Sequence, residues 1–176
     1  MSSNNITVLP VIIENTNLTK YYRNGSQYFV KVIGGDGNAL ADATVRFNIN
    51  GMIYERTSGE DGIAKMNINL QSGSYMITAE YNGCRVANSI RVLPVLSAEN
   101  LVKTHGQTNP FECRVVDGKG NALADTDVTF NINGVFYTRI SNSDGIASLN
   151  INLQKGSYII TSSYNNSNIA NVVTVN

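Results

Sequence analysis

The sequence predicts an all-β protein made of two tandem β-sandwiches of about seven strands each. Three observations carry that reading. The stretch Asn17–Leu93 lies on Asn100–Asn176 at a fixed offset of 83 residues, without a gap and with about half the positions identical. Within each copy, short runs alternate between apolar and polar residues, the period of a strand with one buried face. Clusters of Gly, Asn and Asp separate these runs every 8 to 12 residues or so, the spacing of turns in a sandwich.

In the first copy the strands are expected at Leu18–Tyr22, Tyr28–Ile33, Thr44–Asn48, Ile53–Thr57, Ala64–Leu70, Ser74–Tyr81 and Ala87–Leu93. The run Met66-Asn67-Ile68-Asn69-Leu70 shows the logic, because Met66, Ile68 and Leu70 share one face while Asn67 and Asn69 share the other. Asn50-Gly51 and Asn133-Gly134 each sit between two such runs and suit the positive φ angles of a tight hairpin. Asp61-Gly62 and Asp144-Gly145 mark a second turn. The inward set is expected to include Phe47, Ile49, Ile68, Leu70, Tyr75 and Ile77, with Phe130, Ile132, Ile151, Leu153, Tyr158 and Ile160 as counterparts.

The expected domain limits are residues 11–94 and 95–176, with 1–10 as the tail of a preceding repeat. That last reading rests on Thr7-Val8-Leu9-Pro10, which matches Arg91-Val92-Leu93-Pro94. The chain thus reads as a slice of a longer array. The joint Pro94-Val95-Leu96-Ser97-Ala98-Glu99 lacks glycine and is expected to be stiffer than a Gly/Ser tether.

Composition excludes several functions. Thirteen basic and thirteen acidic side chains balance, and no basic stripe interleaves with aromatics, so the footprint of a nucleic-acid binder is missing. Asn is frequent, nine Tyr outnumber five Phe, and Trp is absent, a surface suited to a protein outside the cell. Cys84 aligns with Ser167 and Cys113 with Val30, so the cysteines belong to no repeated framework and are read as free thiols. The single histidine, His105, aligns with Tyr22 and is read as a surface residue rather than a base beside a nucleophile. No phosphate-binding loop, metal-ligand spacing or nucleophile elbow occurs. No catalytic residue, cofactor or metal is expected. The acids present in both copies are Asp42 with Asp125 and Asp61 with Asp144; turn chemistry before glycine explains the second pair, while the first could ligate calcium with Asp36 or Asn38 oxygens, although few of the roughly six to eight oxygens that calcium wants are clustered there.

Leu70-Gln71-Ser72-Gly73-Ser74-Tyr75 returns as Leu153-Gln154-Lys155-Gly156-Ser157-Tyr158. The pattern resembles the tyrosine corner of Greek-key sandwiches, which gives Tyr75 and Tyr158 a structural role with the phenol bonded to the turn backbone.

Beyond these local signals, the patterns Leu-x-Lys-Tyr-Tyr, Gly-Asn-Ala-Leu-Ala, Val-x-Phe-x-Ile-Asn-Gly-x-x-Tyr, Asp-Gly-Ile-Ala-x-x-x-Ile-x-Leu and Gly-Ser-Tyr-x-Ile-Thr resemble the Ig-like repeats of adhesin-like surface proteins of methanogenic archaea. Those repeats are related in style to bacterial Ig-like domains of invasin type. Both copies are covered almost end to end; the first strand departs in copy two, where Tyr21-Tyr22 becomes Thr104-His105. The resemblance implies an extracellular, monomeric, non-enzymatic stalk on the cell surface. Its partners would be neighbouring repeats, with a glycan or protein of another cell at most, and no membrane contact by this segment.

Two further readings stand beside the stalk. An Ig-like module can bind a glycan or protein through its end loops, and the copies do differ in clusters, at Tyr21–Val30 against Thr104–Cys113 and at Gly83–Val86 against Asn166–Ile169. Some adhesin sandwiches also join a first-strand lysine to a last-strand asparagine by a self-formed isopeptide bond. Lys20 with Asn88, and Lys103 with Asn171, occupy those strands here. The carboxylate such a reaction needs has no duplicated candidate, since Glu55 and Glu80 become Thr138 and Ser163, and the plainer expectation is solvated lysines. Acceptor patterns for N-linked glycans fall at Asn5, Asn17, Asn24 and Asn165.

Overall fold

A computed structural model describes residues 9–176; the acceptor pattern at Asn5 and the Thr7-Val8 part of the partial copy lie outside these residues. Contacts divide the chain near Arg91 and Val92 into two compact units, with the short segment Lys20–Asn24 grouped with the second. Every regular element among the described residues is a strand.

The first sandwich contains β1 (Ile12–Ile13), β2 (Leu18–Tyr21), β3 (Gln27–Val32), β4 (Thr44–Ile49), β5 (Met52–Thr57), β6 (Ile63–Asn67), β7 (Gly73–Tyr81) and β8 (Cys84–Leu93). They form a three-stranded sheet, β1-β3-β6, and a five-stranded sheet, β2-β8-β7-β4-β5. The second sandwich repeats the plan with β9 (Leu96–Ala98), β10 (Leu101–Lys103), β11 (Phe111–Val115), β12 (Asp127–Ile132), β13 (Val135–Ile140), β14 (Ile146–Leu149), β15 (Gly156–Tyr164) and β16 (Ser167–Val175). Its sheets run β9-β11-β14 and β10-β16-β15-β12-β13.

Eight strands per sandwich, against about seven expected, follow from a divided first strand. In the second unit β9 pairs antiparallel with β11 in one sheet, and β10 then crosses to pair parallel with β16 in the other. A first strand shared between two sheets, with later connections crossing from sheet to sheet, is the plan of an Ig-like Greek-key sandwich. Strands β1 and β9 are two and three residues long, too short to show a period. The expected joint is accordingly corrected: Leu96–Ala98 is a strand of the second sandwich, and Val95 and Leu96 are buried.

Alternation fixes the cores. Along β4, Val45, Phe47 and Ile49 point inward while Thr44, Arg46 and Asn48 are exposed. Tyr28 meets Phe47 edge to face at 5.8 Å between ring centroids, and Phe111 meets Phe130 at 5.9 Å, the geometry the ring quadrupoles favour. Leu70, Tyr75, Leu153 and Tyr158 are only partly buried: Leu70 and Leu153 lie where the chain has left the ladder after β6 and β14, and Tyr75 and Tyr158 stand near the starts of β7 and β15, with their phenols turned back to the preceding turn. Inward and outward positions still alternate from Ala64 to Leu70, although pairing ends at Asn67.

Turn chemistry accounts for the duplicated polar residues. Asn50 and Gly51 take φ of 52° and 76°, and Asn133 and Gly134 take 53° and 77°, as a two-residue hairpin turn requires. Asp42 and Asp125 also adopt positive φ, at 56° and 51°. Beside them Ser58 and Ser141 are buried, a feature the sequence does not betray. Ser58 Oγ donates to Leu40 O and accepts from Ala43 N–H, and Ser141 Oγ does the same with Leu123 O and Thr126 N–H. Each serine satisfies backbone groups where the ladder is interrupted.

Candidate functional site

The buried polar side chains that recur in both copies are where chemistry would be expected, and each unit holds a lysine there. Lys20 on β2 is 6% exposed and Lys103 on β10 is 4% exposed, which corrects the expectation of solvated lysines. A buried ammonium needs oxygens around it. Lys103 Nζ donates to the carbonyls of Ile151 at 2.9 Å and Asn109 at 3.3 Å. Burial pushes the Lys20 amine below its ordinary pKa.

Register separates each lysine from its proposed partner. Lys103 lies opposite Val175 in the parallel ladder, so Asn171 sits four residues back along β16, about 13 Å at strand rise. That exceeds the combined reach of the two side chains. Asn171 Nδ2 instead donates to Ala98 O at 3.0 Å and to Asn100 Oδ1 at 3.4 Å. In the first unit Asn88 Oδ1 accepts from Tyr28 Oη at 2.6 Å, and the Tyr22 N–H donates to Leu93 O as His105 N–H does to Asn176 O, the same offset. No aspartate or glutamate is among the buried side chains of the described residues. The structure therefore does not bring an amine, an amide and a carboxylate together in either unit.

What the asparagines do is structural. Asn17 Oδ1 accepts from Ser89 N–H and Asn100 Oδ1 from Val172 N–H, both at 2.9 Å, tying the segment before β2 or β10 to the last strand. The copies differ at one telling point. Tyr28 becomes Phe111, and without that hydroxyl Asn171 Oδ1 is a buried acceptor with no hydrogen-bond donor. Burial holds the Tyr28 phenol at about 12, so it remains a donor throughout the ordinary pH range. Two substitutions test this pair. Tyr28→Phe is expected to lower stability by about 1–2 kcal/mol by orphaning Asn88, and Phe111→Tyr to raise that of the second unit by about 1 kcal/mol; urea unfolding of each variant reads the sign.

Tyr75 Oη donates to Gln71 O at 2.7 Å and Tyr158 Oη to Gln154 O at 2.8 Å, so each phenol closes the turn that precedes its own strand. A Cβ on Gly73 would lie 3.1 Å from Tyr75 Oη, and one on Gly156 3.2 Å from Tyr158 Oη, so the glycines leave room for the phenols.

The remaining sequence candidates are scattered. His105 is exposed. Cys84 and Cys113 are free, and burial pushes the Cys113 thiol up, with the Ser162 hydroxyl and Ser97 backbone pulling weakly the other way. No group of three His, Cys, Asp or Glu side chains placed to hold a metal ion occurs among the described residues. Asp61 Oδ1 accepts from Ile63 N–H and Asp36 Oδ1 from Asn38 N–H, both within turns. Of the aromatic residues where the copies diverge, Tyr22, Tyr28 and Phe111 are buried and Tyr21 is half-buried, while the exposed Phe29 lies within β3 rather than on an end loop. At Tyr28 and Phe111 the divergence decides whether the last-strand asparagine finds a donor.

No known protein-family signature matches the chain. Solved structures that it resembles include a tandem from titin, at 15% identity and TM-score 0.47, covering 93% of this chain and 65% of that one. Invasin, a bacterial integrin-binding protein, aligns at 16% identity and TM-score 0.39 over 97% of this chain and 39% of its own. InvD of Yersinia pseudotuberculosis aligns at 21% identity and TM-score 0.36, over 90% and 56% respectively. The chain spans less than two thirds of each of those structures.

Proposed function

We propose that the two sandwiches are spacer repeats in the extracellular stalk of an adhesin-like cell-surface protein, without enzymatic activity of their own. The sequence resemblance supports a methanogenic archaeal source. Neighbouring repeats are the partners this reading supplies.

One observation carries the mechanical part. In the second unit β10 and β16, the second and last strands, are parallel and directly paired. Tension along the chain pulls the start of β10 and the end of β16 in opposite directions, so the hydrogen bonds between them are loaded together in shear rather than unzipped one at a time. His105 N–H to Asn176 O and Asn176 N–H to Lys103 O, both at 2.9 Å, extend that clamp to the end of the strand. The first sandwich has the same order, with β2 beside β8 and Tyr22 N–H bonded to Leu93 O. The buried lysines stiffen the clamp strand from within, since Lys103 Nζ ties β10 to the carbonyl of Ile151 beyond β14.

Pulling single molecules by their ends tests this. The expected trace has two discrete unfolding events, each releasing about 250 Å of chain, the extended length of one unit less its folded span. Gradual lengthening without distinct force peaks would remove the stalk reading.

A further inference from the structure

The edge strand β13 has the attributes of a self-pairing surface. It ends the order of its five-stranded sheet, and all six of its residues, Val135 to Ile140, are exposed. The facing sheet has three strands, so the fifth strand overhangs it and is wet on both faces. Phe136 and Ile140 are 68% and 66% exposed. Natural edge strands are blunted by charge, proline or a bulge, and β13 carries only Arg139.

We propose that β13 pairs antiparallel with β13 of a second copy of this chain, about a two-fold axis at Thr138. The hydrogen-bonding parity selects that register. Ser141 N–H donates to Thr126 O and Ser141 O accepts from Asp125 N–H, so the polar backbone groups of Ser141 face β12. Alternation then turns those of Phe136, Thr138 and Ile140 to the open edge. With Thr138 on the axis it faces itself, and Phe136 faces Ile140 of the other copy on the outer side of the sheet. On the inner side Tyr137 faces Arg139 of the other copy, a cation over a ring; within one chain Arg139 lies over its own Tyr137 at 5.8 Å and its Nη1 donates to Thr138 O at 2.8 Å, so pairing exchanges that side-chain bond for the Thr138 N–H of the other copy. Every pair is favourable and no like charges oppose one another, the self-complementarity that an isologous contact requires.

The first unit supplies an internal control. Its edge strand β5 is equivalent to β13, yet Glu55 stands where β13 has Thr138. The same pairing of β5 would set Glu55 against Glu55. Across that sheet Arg46 approaches Glu55 at 3.9 Å and Arg85 pairs with Glu80, forming a charged ladder. In the second unit Thr129, Thr138, Asn168 and Ser163 stand at those positions. One edge is guarded and the other is open. Because the axis is normal to the sheet, the two copies run in opposite directions, which on the stalk reading is how repeats anchored on two facing surfaces meet.

Edge pairing buries less than a standard interface of about 1,600 Å², so Kd is expected on the order of 10–100 μM. Sedimentation of the whole chain up to about 1 mM, well above that Kd, is expected to show a monomer–dimer equilibrium. Thr138→Glu, the residue the first unit already tolerates, is expected to raise Kd about tenfold or more. Independently, Thr138→Cys in a Cys84→Ser background is expected to give a disulfide-linked dimer on mild oxidation, because paired Cα atoms lie about 5.5 Å apart. A chain that stays monomeric at that concentration, a dimer unaffected by Thr138→Glu, or failure of Thr138→Cys to crosslink would each overturn the proposal.

Discussion

Phe47→Ala is expected to lower the stability of the first unit by about 3–5 kcal/mol. The side chain is fully buried at the middle of β4, with Val45 and Ile49 as inward neighbours on the same strand. Truncation removes the ring's transfer free energy, leaves a cavity, and deletes the edge-to-face contact with Tyr28. Tyr28 is itself held by its bond to Asn88, so it cannot swing into the space without orphaning a buried acceptor. Relaxation is therefore restricted and the loss belongs at the upper part of the range for buried aromatics. Urea unfolding followed by tyrosine fluorescence measures it, and a change below about 1 kcal/mol would contradict the placement of Phe47 at the centre of the core.

Gly145→Ala is expected to cost about 3 kcal/mol or more through the backbone alone. Gly145 has φ of 73°, and a Cβ there would lie 2.4 Å from Val115 O and 3.0 Å from Leu123 N. Those atoms are not free to retreat, because Val115 N–H is bonded to Gly145 O at 2.7 Å and Leu123 N–H to Val115 O at 3.1 Å. The substitution thus adds a left-handed conformation to a clash with a carbonyl pinned on both sides. Gly62 is the same position in the first unit, with 2.5 Å to Val32 O. Gly134→Ala makes the comparison clean: φ is 77° but nothing lies within 4 Å of the added carbon, so about 1 kcal/mol is expected there. Equal losses at Gly145 and Gly134 in thermal or urea unfolding would show that conformation, not packing, sets the requirement.

Sequence alone conveyed the fold where one physical cause dominates a position. Val45, Phe47 and Ile49 alternate with polar neighbours, and an alternating run beside Asn50-Gly51 has few structures open to it. The turn glycines were equally legible, since Asp61-Gly62 and Asp144-Gly145 demand a φ that other residues avoid. Elements that depend on distant partners were not. Strand β1 is two residues long, and only its pairing of Ile12 with Val32 identifies it. Strand β13 is expected through its equivalent Ile53–Thr57, but it has no buried face, so no pattern distinguishes its inner side, and its exposure follows from the width of the sheet opposite.

The candidate site was less legible for a related reason. Lysine ordinarily reads as surface, yet Lys103 is buried because the carbonyls of Ile151 and Asn109 happen to converge on its amine. Nothing local announces that convergence. The pairing of Lys103 with Asn171 looked plausible because both lie in adjoining strands; the ladder register, invisible in the sequence, sets them four residues apart. The Tyr28 to Asn88 bond carried a signal that was available, namely that the one aromatic exchange in the third strand position, Tyr28 to Phe111, removes a single oxygen.

Two adjacent sandwiches that share half their residues face a hazard during folding, when a strand of one copy can be recruited into the sheet of the other. The charged ladder of the first unit bears on this directly. Its members come one each from four strands, Arg46 on β4, Glu55 on β5, Glu80 on β7 and Arg85 on β8, and no counterpart in the second unit is charged. Exchanging any single strand takes one ion out of the ladder in one hybrid and leaves that ion alone among neutral neighbours in the other, so a misassembled sheet loses an attraction that a correct one keeps. With side chains this exposed each lost pair contributes little, so the ladder biases the sorting of strands in a chain that nearly repeats itself without enforcing it.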